Sequence, residues 1–289
     1  MRVGTRGSAL ARAQATLVAQ RLPGAEIVVI DTSGDRDRPA ADKARWVDTI
    51  ERALLDGSID LAVHSAKDVP SALADGLELV GCPARADPRD VLCGAPSLEQ
   101  LPQGARVGTS SLRRTAQLRA LREDIEPVEL RGNVDTRLRR LSEDGNLHAI
   151  VLASAGLVRL GQDAGVPLEQ LVPAAGQGTL ALQARAGEEH VLAAVEPLRD
   201  RRTELELAAE RALVRALHAD CHTALGAHAR VEGSRIELRA WLGMGDGSAW
   251  ITDTLSGEDP EQLGREMAER MLAVGAAEML GEGVAASDA

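Results

Sequence analysis

Two stretches of the chain are written alike: RVGTRGSALARAQ begins at Arg2 and RVGTSSLRRTAQL begins at Arg106. Each reads as a short strand, a Gly-Thr turn, a serine that caps a helix, and the helix itself. This internal repeat constrains the fold more than any other feature. It predicts two similar α/β domains, each presenting a helix N-terminus at the carboxyl edge of its sheet. Backbone N–H groups at such an edge favour anions. Two edges facing each other would make an anion-binding cleft between domains. Gly-Thr-Ser turns are common, so a chance match is the competing reading.

The segments between the repeats alternate in the same way. EIVVID (Glu26 to Asp31) is a β-branched run, and Trp46, Val47, Ile50, Ala53 and Leu54 recur at helical spacing. Leu61-Ala62-Val63 reads as a strand ending at His64, and Val128-Glu129-Leu130 as another. Val134, Leu138 and Leu141 mark a helix face, and Ala149 to Leu152 a buried strand. This alternation predicts an α/β fold with largely parallel sheets. The last third changes character. Thr203 to Leu217 is a periodic helix with Leu205, Ala208, Ala209, Ala212 and Leu213 on one face. Strand-like stretches at Ala227 to Val231 and Ile236 to Leu242 follow, then a helix near Pro260 to Ala273. The tail after Gly281 is expected to be disordered.

Composition narrows the function. The chain has three Trp and no Tyr or Phe, so its core is built from aliphatic residues and it lacks aromatic platforms for bases. A net charge of −11 argues against a nucleic-acid partner. No apolar run approaches a membrane span, and Arg2, Arg6 and Arg12 interrupt any signal-peptide core, so the expected location is the cytoplasm. Cys82, Cys93 and Cys221 are too scattered for a disulfide framework.

Four clusters carry candidate chemistry. His64-Ser65-Ala66-Lys67-Asp68-Val69-Pro70 follows a strand, where α/β sheets meet ligands, and sets a carboxylate beside an ammonium. Arg113, Arg114, Arg131 and Arg137 lie at strand-to-helix junctions and suit carboxylate recognition. Arg119, Arg122, Arg139 and Arg140 read instead as a solvated helix face. Pro173 to Gly178 places two glycines around Gln177, a weak signal alone. Cys221 stands between Asp220 and His222 and could be a nucleophile, a metal ligand or an inert thiol. Its spacing from the nearby histidines fits no standard zinc pattern, and no metal is expected.

Read together, VGTRGSALARAQ, HSAKDVP, GTSSLRRTAQL, RGNVDTRL, SAGLVRLG, PAAGQG and AERALVRAL followed by ADCHTALG resemble, in order, the landmarks of the porphobilinogen deaminase (hydroxymethylbilane synthase) family. The resemblance implies two α/β lobes like those of periplasmic binding proteins plus a smaller C-terminal α+β domain. The expected divisions are 1–84 with 176–197, 85–175, and 198–289. It implies a dipyrromethane cofactor joined by a thioether to Cys221 and a catalytic aspartate at Asp68. Lys67, Ser111, Arg113, Arg114 and Arg137 align with cofactor-binding residues. Arg6, Ser8, Gln14, Arg131, Arg159 and Gln177 align with substrate-binding ones.

The implied reaction deaminates porphobilinogen and joins four units head to tail, releasing hydroxymethylbilane. The implied enzyme is a monomer whose product passes to uroporphyrinogen-III synthase. The chain departs from the family pattern in three places. Ala219-Asp220 and His222-Thr223-Ala224 flank the cysteine where the family usually has Gly-Gly and Val/Thr-Pro. Gln183 replaces a glutamate. Ala41-Asp42-Lys43-Ala44-Arg45-Trp46 replaces GGKGLF. A non-enzymatic solute-binding protein of the same two-lobe architecture is the rival reading, against which the pair Asp68 and Cys221 argues.

Overall fold

The structure, a computed structural model, describes residues 1–31, 44–163, 165–220 and 222–285. The first part of the chain forms β1 (Arg2–Arg6), α1 (Ala9–Ala19), β2 (Glu26–Ile30), α2 (Ala44–Leu55), β3 (Leu61–Ser65), β4 (Leu77–Gly81) and β5 (Asp90–Cys93). The middle forms β6 (Arg106–Gly108), α3 (Leu112–Leu121), β7 (Glu126–Val128), α4 (Val134–Glu143), β8 (Ala149–Ala153), α5 (Ser154–Arg159), β9 (Val166–Pro167) and β10 (Leu180–Arg185). Then come α6 (Glu189–Val195), α7 (Arg201–Ala216), β11 (Leu225–Glu232), β12 (Arg235–Gly243), β13 (Trp250–Gly257), α8 (Pro260–Ala273) and α9 (Ala276–Ala285). Two compact units result: Met1–Ala86 with Gly178–Leu205, and Asp87–Gln177 with Glu206–Ala289.

The repeat seen in the sequence extends to whole sheets. The first unit holds a five-stranded sheet of order β2-β1-β3-β10-β4, and the second unit one of order β7-β6-β8-β5-β9. β1 runs parallel to β2 and β3, as β6 does to β7 and β8. The fourth strand of each sheet is antiparallel to both neighbours, so the sheets are mixed rather than largely parallel. The reason lies in connectivity. β5 and β10 are the first strands after the chain passes from one unit to the other, and neither is entered through a strand–helix–strand crossover.

Alternation along the strands divides aliphatic residues between two faces. In the first unit Leu61 and Val63 join Val3, Val18 and Leu182 on one side, while Ala62 joins Ile50, Leu54 and Ile59 on the other. In the second, Ala149 and Val151 pack with Leu92, Val107 and Leu118, while Ile150 and Leu152 pack with Val91, Leu130 and Leu157. The second unit also carries an antiparallel sheet β11-β12-β13 packed against α8.

Three further expectations are corrected, and one strand, β13, had not been expected. The strand expected at Val128 to Leu130 is Glu126–Val128, because its partner β6 is three residues long and Leu130 turns into the core. β13 escaped notice because its residues alternate between exposed and half-buried, so it has no buried apolar row. The buried face of α7 includes Glu206 and Glu210, while Leu205 and Ala208 are only half-buried. The chain beyond Gly281 continues as helix α9 to Ala285 rather than becoming disordered there.

Gly264 in α8 lies directly against α7. A Cβ there would lie 2.4 Å from the Ala212 Cβ and 2.6 Å from the Leu213 backbone nitrogen. Gly264→Ala should therefore destabilise the protein by about 1–3 kcal/mol through overpacking. Gly281→Ala, in helix α9 with open space around it, should be neutral or stabilising by up to about 1 kcal/mol. Urea denaturation of the two variants checks the contrast; equal stabilities would show that α8 can move away.

Candidate active site

In the first unit, β1 and β3 are parallel, so the residues that follow them share one edge of the sheet. β1 ends at Arg6, which is half-buried, and Ser8 caps α1 by accepting from the Ala11 N–H at 3.3 Å. β3 ends at Ser65, whose hydroxyl accepts from the buried Gln14 amide at 2.8 Å. The chain then makes one 3-10 turn, Ala66–Asp68, tied down by the Ala66 N–H donating to the Thr179 carbonyl. Lys67 and Asp68 are left half-buried on that turn. The structure thus brings Arg6, Ser8, Gln14, Lys67 and Asp68 to one edge.

Directly behind them lies a buried polar chain. His64 shares a hydrogen bond of 2.9 Å between its Nε2 and the Gln183 Oε1, and the Gln183 Nε2 donates to the Glu51 Oε1 at 2.7 Å. Burial depresses the His64 pKa from its ordinary value to about 4, against the opposing effects of the Gln183 bond and the Asp68 charge; Arg6 adds to the lowering.

In the second unit, β6, β7 and β8 are parallel, so Ser111, the Arg131–Arg137 segment and α5 with Arg159 follow the same edge. Ser111 caps α3. Arg113 and Arg114 are buried, and both grip Asp90, which has no exposure: each pair closes at 2.7 Å. Arg113 also donates to the Val172 carbonyl and Arg114 to that of Val151. Gln177, also buried, donates to Asp90 and to the Pro88 carbonyl. Burial opposes the charge on Asp90, but the two guanidiniums outweigh it and hold the carboxyl far below the usual range.

Arg137 differs. It donates to two neutral acceptors, the Gly132 carbonyl at 2.9 Å and the Ser110 hydroxyl at 3.0 Å. Burial, and then the nearby Arg114 charge, lower its pKa to about 10, so it remains cationic at neutral pH. Burial likewise lowers Arg159 to about 10. Arg131 is exposed and pairs with Glu129 at 2.6 Å. Arg139 and Arg140 are exposed, as expected of a solvated face, but Arg122 is not solvated. Its guanidinium binds Asp124 and the carbonyls of Leu98, Leu101 and Pro102.

Cys221, Lys43 and the rest of the Ala41 to Lys43 segment lie outside the described residues. The residues flanking the cysteine form an exposed turn in which Asp220 accepts from the His222 N–H and the Thr223 hydroxyl. Of the other thiols, Cys82 is buried, and burial pushes the Cys93 thiol up against the opposing pull of Arg114.

Sequence reasoning missed Asp90, Glu51 and Glu210. Glu210 is fully buried in α7 and accepts from the Gly176 N–H at 2.6 Å and the Ala229 N–H at 2.7 Å. A signal existed: Glu206, Glu210 and Leu213 fall on one helical stripe, so two acids sit within an apolar face.

Residues 1–193 match the family described as "Porphobilinogen deaminase, dipyromethane cofactor binding domain", and residues 204–273 match "Porphobilinogen deaminase, C-terminal domain". Among curated relatives, the porphobilinogen deaminase of Roseiflexus sp. (strain RS-1) is 46% identical, covering 96% of this chain and 97% of its own. That of Brevibacillus brevis is 43% identical, covering 97% and 96%. Among solved structures, the methionine binding protein MetQ overlaps 71% of this chain and 91% of its own at 16% identity and a TM-score of 0.46. 

Two outcomes follow from the buried charges. Asp90→Asn removes the counter-charge of Arg113 and Arg114 and should cost about 3–5 kcal/mol in urea denaturation; a loss below about 1 kcal/mol would mean the arginines find other partners. His64 refuses a proton that the unfolded chain accepts between about pH 6.5 and about 4. Its contribution is fully present above pH 6.5 and is lost as pH falls, by up to about 3 kcal/mol at the lower end. Unfolding free energies at pH 7 and pH 5 should show this slope, and His64→Gln should flatten it.

Proposed function

We propose, on the premise that this chain belongs to the porphobilinogen deaminase family, that Asp68 is its catalytic carboxylate and Cys221 the residue that carries its dipyrromethane. The chain is a transferase of tetrapyrrole biosynthesis: it deaminates porphobilinogen and joins four units into hydroxymethylbilane on a dipyrromethane primer. The observation that carries the Asp68 assignment is its position. HSAKDVP folds into a turn at the carboxyl end of β3, leaving a half-buried carboxylate at an edge shared with Arg6, Ser8 and Gln14.

The donor set of the second unit fits a primer bearing acetate and propionate groups. Arg137 has neutral hydrogen-bond acceptors and a second guanidinium as the charge that acts on it, an arrangement that a carboxylate ligand completes. When bound, the dipyrromethane supplies a pyrrole α-carbon on which the product is built. In this reading Lys67, Ser111, Arg113, Arg114 and Arg137 hold it. Arg113 and Arg114 also hold the N-terminus of α3 through Asp90. Arg6, Ser8, Gln14, Arg131, Arg159 and Gln177 receive the incoming substrate.

Asp68 contributes fixed negative charge. Loss of ammonia from porphobilinogen leaves positive charge on its pyrrole nitrogen, and guanidiniums repel that charge while binding the ring's carboxylates. A carboxylate held where the cation develops lowers the barrier. Cys221 suits attachment because a thiolate adds to an electrophilic carbon, and Cys82 and Cys93 are respectively buried and shifted against ionisation. The smaller α+β part that carries Cys221, a monomeric state, a cytoplasmic location and transfer of product to uroporphyrinogen-III synthase belong to the same proposal.

Intact mass and single-turnover kinetics test it. Cys221→Ser should fold but carry no covalent adduct. Asp68→Asn, loaded with preassembled cofactor, should retain the adduct and lose about 10²–10⁴-fold in the rate of porphobilinogen consumption. Asp68→Glu should keep part of the rate. An adduct on the serine variant, or an Asn variant as fast as wild type, would reassign the corresponding residue.

A further inference from the structure

The three-stranded sheet of the second unit meets α3 as well as α8. Trp241 of β12 is 7% exposed and lies in one buried cluster with Ala116, Val172 and Ala224, against which Leu112 and Ala120 pack. Leu112, Ala116 and Ala120 are spaced four apart and form one stripe along α3. Arg113 and Gln117 stand beside that stripe and donate to the Val172 carbonyl at 2.7 and 3.0 Å. Ala224 stands three residues after Cys221, and its carbonyl accepts from the Gly243 N–H at 3.3 Å. One indole thus packs both with the helix that starts at Ser111, Arg113 and Arg114 and with the segment that leads away from Cys221.

The fit is close. A Cβ on Gly243 would lie 2.3 Å from the Trp241 ring, so the ring covers that stretch of backbone. Gly247, at a φ of 78° in the turn before β13, rests on the same helix. A Cβ there would be 2.7 Å from the Arg119 Cβ and 2.8 Å from the Ala116 carbonyl oxygen. Asp246 sets that turn by accepting from the N–H and the hydroxyl of Ser248 at 2.9 and 2.7 Å. β12 and the turn that follows it therefore brace α3 from its first residue to Ala120.

We propose that Trp241 is a positioning residue for the reaction: it fixes the segment after Cys221 against α3, so that a primer tethered at the cysteine reaches Ser111, Arg113 and Arg114 with its carboxylates. The inference rests on the reading of Cys221 as the attachment residue and of those three residues as holders of the primer. A ligand held at two points gains from the second only when the spacing of the points matches its own length. One point here is the thioether and the other is the first turn of α3, on segments distant in sequence. Backbone joins β11 to the chain beside α3, the Ala227 N–H donating to the Pro173 carbonyl at 2.9 Å. Between Trp241 and α3 the contact is apolar packing, which holds position only while its volume is filled. A large ring with two rotatable bonds fills that volume rigidly, in a core that is otherwise mostly aliphatic. Without the ring, α3 can settle toward β12 and carry its first turn with it. The primer would stay attached, but its reactive α-carbon would be held out of line.

The test uses the full-length holoenzyme below its unfolding range. The adduct is read by intact mass and peptide mapping, and kcat and KM for porphobilinogen are measured together. Trp241→Ala should keep the adduct on Cys221 and lower kcat about tenfold to a hundredfold. KM should not change, because the residues proposed to receive porphobilinogen are not on α3. Trp241→Phe, which refills most of the space, should keep most of the wild-type rate. Leu198→Ala opens a cavity in the core of the first unit; it should lower stability in urea and leave kcat unchanged. Ala116→Val crowds the ring from the helix side and should also lower kcat. Adding Trp241→Phe to it should restore the rate, because total volume is again conserved. This pair decides the question if Trp241→Ala does not fold. A Trp241→Ala enzyme with wild-type kcat, a fall in kcat that Leu198→Ala shares, or a loss seen only in KM overturns the proposal. So does an Ala116→Val enzyme of full rate. Failure of the Cys221 reading would show separately, as a wild-type adduct that maps to another residue.

Discussion

Asp90 is a carboxylate without solvent at the first residue of β5, and much of the second unit is arranged to make that tolerable. Burying a lone anion costs several kcal/mol unless donors surround it. Here two guanidiniums from the first turn of α3 and the amide of Gln177 converge on its two oxygens. The same guanidiniums reach on to the carbonyls of Val172 and Val151. Gln117, one turn further along α3, closes a two-way bond with the backbone of Val172 at 2.7 and 3.0 Å. One acidic side chain thus fixes the start of α3 against β5, β8 and the segment after Leu171. Without it, two buried cations would force that helix outward.

Glu210 solves a second problem by the same means. Residues 173–178 form no regular element, so their backbone N–H groups need partners from elsewhere. Gly176 donates to Glu210, and Gln177 reaches Asp90 with its side chain. Gly176 and Gly178 both lie at positive φ, 73° and 89°, where a β-carbon is strained. The two glycines around Gln177 therefore have a backbone reason. They let the chain turn twice within three residues while the side chain between them points into the Asp90 network.

Much of this was legible in the sequence where local physics and the fold agree. The Arg2 and Arg106 segments each became strand, turn, serine cap and helix, with Ser8 and Ser111 as the caps. The helix at Pro260 to Ala273 follows from Asp259 as its cap and proline in its first turn. What failed depended on partners distant in sequence. Nothing local to Arg113 or Arg122 says that one will meet Asp90 and the other will satisfy the carbonyls of residues 98–102. The antiparallel entry of β5 and β10 follows from chain passage between units, which hydrophobic periodicity does not encode. β13 has neither a buried face nor a run of apolar residues to announce it.

The arginines show why a motif identifies a neighbourhood better than it identifies a role. Arg113, Arg114 and Arg137 carry the same group, and all lie near the same sheet edge. They are separated by where carboxylates of the chain itself arrive. Asp90 neutralises much of the charge of the first pair within the protein, so that their contribution to any ligand comes with an internal anion close by. Arg137 sits on neutral oxygens beside Arg114, and its field is left to act outward. In a chain of net charge −11 this distinction matters. Carboxylates are plentiful, and a guanidinium stays available to an anionic ligand only where the fold keeps them away. The local supply of internal carboxylate, rather than the count of basic residues in a motif, decides which arginine is free to recognise a ligand and which is committed to holding a helix in place.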